Sequence, residues 1–312
     1  LAPNSAEPQL IAAFVYKRQN KFRQRIEALR RAEAINPDNA RVRTFLVVTY
    51  RWLRDWPHAI EAFDRRAIVS SGRGPGFFVS RWSRACDEFR LGGNIDVLKK
   101  ATAEEADGGT ASAARLDFER FETAMFERDY ASAARYLAQV PPDTSALNDF
   151  FEIAPKAFHE ALLAVANGSA PPFREEALQA AERAIRAPKT RTGMDSDARA
   201  LADLALIHAL LGRKEEAIRE AMGAIDAVEG ASSAVEKNGM SAALALVYAH
   251  TGETEKALDL IEHLLTVPCE VQEGTTHNMT LNDLKWRWVW DPLRSNQRFQ
   301  KLLAGPEPKT IY

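Results

Sequence analysis

The sequence predicts an all-α fold, a solenoid of about seven helical hairpins with a C-terminal capping element. Three observations carry that prediction. Leu1-Ala2-Pro3-Asn4-Ser5 recurs as Ile35-Asn36-Pro37-Asp38-Asn39, so Pro3 and Pro37 lie 34 residues apart, the period of a helix-turn-helix repeat. Further along, apolar residues recur at helical spacing on either side of turn residues such as Gly212 and Gly252. Composition agrees: Ala, Leu, Glu and Arg dominate the 312 residues, and 46% hydrophobic with 27% charged describes a folded, helix-rich chain and argues against disorder.

Residues 1–69 are read as regular hairpins. At the 34-residue offset Ala6 answers Ala40, Tyr16 answers Tyr50, Phe22 answers Trp56, Ile26 answers Ile60 and Leu29 answers Phe63. Leu1 to Ser5 match the end of a repeat whose helices the chain does not contain, so the natural protein is expected to extend upstream. Residues 70–194 are read as three degenerate hairpins, with turns near Gly92-Gly93-Asn94, Arg128-Asp129-Tyr130 and Asn167 to Pro172. Residues 195–265 are regular again. Leu201, Leu204, Ala205 and His208 form one stripe, Gly212 turns the chain, and Ala217, Ile218, Ala221 and Ala224 answer; Leu244, Ala245, Tyr248, Gly252, Ala257, Leu258 and Ile261 repeat the pattern. Residues 266–312 form the cap, and the whole is expected to be one continuous solenoid.

These features resemble the tetratricopeptide repeat family over about 265 residues, strongly in four hairpins and loosely in three. The resemblance implies a right-handed solenoid. Arg25 departs from it, standing where the family usually has alanine, so looser packing or a sideways escape of the guanidinium is expected. Trp290-Asp291-Pro292-Leu293-Arg294-Ser295-Asn296-Gln297-Arg298-Phe299 is similar to the closing segment of such regions in bacterial signalling proteins, among them kinases, cyclases and winged-helix regulators. There Asp291 is expected to cap one helix and Ser295 or Asn296 a second, with Trp286, Trp288 and Trp290 packing the cap.

Little in the sequence suggests catalysis. Cys86 and Cys269 are the only cysteines, lack metal or redox spacing, and are read as buried small hydrophobes. The six histidines show no paired zinc spacing, His208 is read as packing and His58 as exposed, so neither metal nor cofactor is expected. Gly72-Arg73-Gly74-Pro75-Gly76 lacks the strand and the Gly-Lys-Ser/Thr ending of a phosphate loop and reads as a linker. There is no apolar run of membrane-spanning length and no leader composition, and the cysteine usage fits a reducing compartment, so a cytoplasmic location is expected.

Binding of another protein segment is what the resemblance implies, since such solenoids usually do that. Residues 1–100 hold 19 Lys/Arg against 10 Asp/Glu, although the whole chain carries a net charge of −2. In stacked hairpins the first helices line the concave face, which nominates Leu10, Phe14, Lys17 and Arg18, then Arg41, Thr44, Val48, Arg51 and Trp52. Aromatic and guanidinium groups together suit an acidic or carboxylate-bearing peptide, an acidic part of the same chain, or an upstream effector domain. Leu10, Phe14 and Phe45 occupy places where some family members clamp a peptide carboxylate, which argues against that mode. The expected function is therefore a non-enzymatic protein-interaction scaffold, the regulatory region of a larger bacterial signalling protein. Nucleic-acid binding through the basic third is the alternative, and an enzyme with an unrecognised site a minor one.

Overall fold

A computed structural model describes residues 5–67, 80–107, 111–142, 144, 154–187, 196–229 and 233–311. Among these there is no strand, and the helices come in consecutive antiparallel pairs. The pairs are α1 Glu7–Arg18 with α2 Phe22–Ile35, α3 Ala40–Trp52 with α4 Trp56–Ala67, and α5 Arg81–Gly92 with α6 Asp96–Ala106. Next come α7 Ala113–Glu127 with α8 Tyr130–Gln139, α9 Lys156–Ala166 with α10 Pro171–Arg186, α11 Ser196–Leu210 with α12 Lys214–Val228, and α13 Ala234–His250 with α14 Thr254–Leu264. Each hairpin stacks on the next. The linker Gly72 to Gly76 lies outside the described residues.

The hairpins share a local cause. Each turn reverses through one residue in the left-handed region: Asn20, Arg54, Gly93, Arg128, Gly168, Gly212 and Gly252. Alanines set the close approach of the paired helices, with Ala28, Ala59, Ala62, Ala217, Ala221 and Ala257 at 0–1% exposure. Helix starts are held by side chains: Asn39 caps α3, Ser80 caps α5 and Ser112 caps α7, each contributing about 1 kcal/mol.

Arg25 does not escape to solvent, contrary to the sequence expectation. Its guanidinium is buried, donating from Nε to Thr49 Oγ1 and from Nη1 to the Ala13 carbonyl, both at 2.8 Å, and lying over the Trp52 ring at 5.2 Å. Burial lowers its pKa to about 10. The hydrogen bonds replace its lost hydration, so the hairpin tolerates arginine at an alanine position.

The C-terminal segment is more than a lid on the last repeat. It comprises a helix-free stretch after α14, then α15 Leu281–Trp286, a 3-10 helix Trp288–Leu293 and α16 Gln297–Ala304. Asn296 caps α16, its Oδ1 accepting from the Arg298 and Phe299 amides. Asp291 caps nothing: it lies inside the 3-10 helix and pairs with Arg128 at 2.7 Å and Arg294 at 2.9 Å. Trp288, Trp290 and Phe299 are buried in the core formed by the later hairpins, while Trp286 packs with Trp82 and Phe89.

The two ends of the array meet. Lys17 pairs with Glu236, the Ala234 amide donates to Asn20 Oδ1 at 2.9 Å, and Val235 packs against Phe22 and Trp52. The first two hairpins therefore touch the seventh.

Candidate interaction surface

The basic N-terminal hairpins were expected to offer a concave face. The structure fills that face with the chain's own C-terminal segment. From Val42 to Trp52 every residue of α3 is buried. Arg51 donates from Nη1 to Glu273 Oε1 at 2.8 Å, from Nη2 to Asp87 Oδ2 at 2.8 Å and from Nη2 to the Ser83 carbonyl at 2.9 Å. Burial alone would raise both carboxyls. It prevails at Asp87, whereas at Glu273 attraction to Arg51 and Arg90, with the Ser83 hydroxyl donating, holds the pKa at about 2.

Adjacent cations bind the same segment. Arg54, held in the left-handed turn between α3 and α4, donates to the Leu264, Leu265, Val267 and Met279 carbonyls at 2.6–3.4 Å. Arg90 pairs with Asp283 at 3.2 Å, Arg287 with Asp283 at 2.9 Å, and Asn282 donates to the Phe89 and Arg90 carbonyls. The Cys269 amide donates to the Trp52 carbonyl at 3.1 Å. Both cysteines are buried, and burial pushes the Cys86 thiol well up and that of Cys269 up to about 12, so neither is a ready nucleophile.

The nominated residues thus divide into three groups. Leu10, Thr44, Val48, Arg51 and Trp52 are buried against the chain itself. Lys17 is half-buried beside Glu236 and sits 4.9 Å from the Trp52 ring. Phe14, Arg18 and Arg41 are exposed. Phe14 meets Phe45 edge to face at 5.1 Å, and the Arg41 guanidinium lies 5.8 Å from the same ring. Sequence reasoning missed Ile11 and Val15, which are 58% and 46% exposed beside Phe14 at 41%. The signal was present: α1 carries apolar residues on both faces, more than one packing surface uses.

A separate cavity of about 20 Å³ lies between α7, α9 and the C-terminal segment, lined by His159, Glu122, Arg287, Phe121, Phe126 and Trp288 among others. It has room for a water and not for a substrate. His159 packs among Phe118, Phe121 and Phe158, and burial lowers its pKa to about 4.

No protein-family model and no curated protein matches the sequence. Among solved structures, the chain is similar to a crystal structure of the TPR domain of P58(IPK), at 12% identity over 97% of this chain and 88% of that one, with a TM-score of 0.23. The hairpin architecture is established by the chain's own helices and turns. No helix among the described residues is long and apolar enough to cross a membrane.

Proposed function

We propose that the chain is a protein-interaction scaffold whose docking surface is the exposed rim of α1 and α3, centred on Phe14, Arg18 and Arg41. The observation that carries this is the Phe14, Phe45 and Arg41 group, where an exposed ring and a guanidinium share one aromatic support beside Ile11 and Val15. Apolar area supplies affinity and the cations select an acidic segment. Lining residues of the concave face are already engaged with the chain, which moves the docking surface outward from Arg51 and Trp52. The resemblance of Trp290 to Phe299 to the closing segment of bacterial signalling proteins supports a regulatory setting for such docking.

The test compares proteins retained from the source lysate by the wild-type chain, by Phe14→Ala/Arg41→Glu, and by Phe173→Ala on α10 as a control for a distant exposed ring. Specific partners are expected to fall at least tenfold with the double variant and to persist with the control. Unchanged retention by a folded double variant removes this surface.

A further inference from the structure

His208, in the last turn of α11, is fully buried, yet neither ring nitrogen makes a hydrogen bond of acceptable geometry. Three carboxylates face it instead. Nδ1 lies 2.6 Å from Glu220 Oε2 and 3.8 Å from Glu216 Oε1, while Nε2 lies 3.2 Å from Glu182 Oε1. Glu220 Oε2 is itself buried without a hydrogen-bond donor. Glu216 and Glu220 stand four residues apart on α12, so both carboxylates leave one helix face toward the ring. Glu182 reaches it from α10.

We propose that His208, Glu216 and Glu220 form a binding site for a divalent transition-metal cation of the zinc class. Imidazole with carboxylates is a donor set for such ions, which bind each donor at about 2.0–2.2 Å. A tetrahedral ion at that range holds its donors about 3.4 Å apart. The Nδ1 distances of 2.6 and 3.8 Å bracket that separation, and all three ligand atoms lie within 4.8 Å of one another. Glu216, 34% exposed, can rotate toward Nδ1, while the Glu220 carboxylate must open its 2.6 Å contact to admit the ion. The same exposure opens the site to solvent and leaves a position for water. Glu182 Oε1 lies 3.2 Å from Nε2, on the far side of the ring from Glu216 and Glu220, where a carboxylate commonly stands behind a metal-bound histidine.

The surrounding cations bear on affinity. Arg186 approaches Glu220 through Oε1 at 3.3 Å, and Arg213 approaches Glu182 through Oε2 at 3.1 Å, so each leaves the oxygen nearest His208 unclaimed at that contact. Arg186 also lies 3.4 Å from Glu182 Oε1, and Arg219 lies 3.9 Å from Glu216 Oε1. Their charge weakens binding of any dication relative to a purely acidic cluster, and the imidazole donor favours the zinc class over hard ions such as magnesium.

The full chain, stripped with a chelator, is titrated with zinc by calorimetry and with cobalt by visible absorption. One equivalent of zinc is expected to bind and to raise Tm by a few degrees. Glu220→Gln and Glu216→Gln are each expected to weaken binding at least tenfold and to abolish the Tm shift, while His58→Ala, an exposed histidine on α4, leaves both intact. Glu216 is partly exposed, so its variant folds even if a change at buried His208 does not. Absence of zinc binding, or binding that both Glu variants retain, overturns the site.

Discussion

Arg51 and Glu273 stand 222 residues apart in sequence and meet at 2.8 Å, both buried, joining the second hairpin to the segment after the last one. Removing one member of a buried pair strands the other, so Glu273→Gln is expected to destabilise the fold by about 3 kcal/mol in urea unfolding at neutral pH. The gap should depend on pH. Glu273 titrates at about 2 in the fold, below the roughly 4.3 of an unfolded chain, so its contribution is present above the unfolded value and is lost as pH falls through the folded one. Wild type and variant should therefore converge between about pH 4.3 and 2. A constant gap across that range would show that the charge is not what Glu273 contributes.

His159 gives acid sensitivity at milder pH. Its folded pKa of about 4 lies below the roughly 6.5 of the unfolded chain, so the unfolded state takes up the proton first as pH falls. Lowering the pH from 7 to 5 is expected to remove about 2 kcal/mol of stability through this residue alone. His159→Phe, which suits the neighbouring rings, should lessen the pH dependence by that amount in paired denaturation curves at pH 7 and 5.

Arg54 holds its four carbonyl partners from a turn position that a glycine would fill more easily. Arg54→Met retains the bulk of the side chain and removes every donor. The expected loss is about 2–4 kcal/mol, with faster hydrogen exchange at the Cys269 amide. Protection there that matches wild type would mean that the segment is held without the guanidinium.

Two turn glycines separate conformational from contact strain. At Gly212, with φ of 76°, an added Cβ meets nothing within 4 Å, whereas at Gly93, with φ of 71°, it meets Asn282 Oδ1 at 2.9 Å. Gly212→Ala is expected to cost about 1 kcal/mol from backbone geometry. Gly93→Ala should cost more and loosen the Asn282 bonds to α5, read as a larger drop in Tm.

The repeat was legible because Pro3 and Pro37 mark its period and glycines mark many of its turns. Asn20, Arg54 and Arg128 are harder to read as turns, since non-glycine residues at positive φ carry no comparable signal. Arg51 read as a surface cation because its partners Asp87 and Glu273 are remote, and one sequence does not record which distant residues meet. Likewise, Asp291 looked like a cap until the fold brought Arg128 beside it. The carboxylates around His208 escaped a spacing search because they come from α10 and α12 while the histidine lies on α11. Phe14 and Arg41 were nominated alongside Arg51 and Trp52, and which of the four stay exposed depended on where the C-terminal segment goes.

An open array of hairpins gains or loses a unit at small cost, because each unit touches only its neighbours. Here Asn20 reaches Ala234, Arg54 reaches Val267, and Arg90 reaches Asp283. Inserting or deleting one hairpin between those partners would translate and rotate one end past the other and break every such contact at once. The closure thereby fixes how many of the described hairpins stand between those partners, and leaves loop length as the freer variable there.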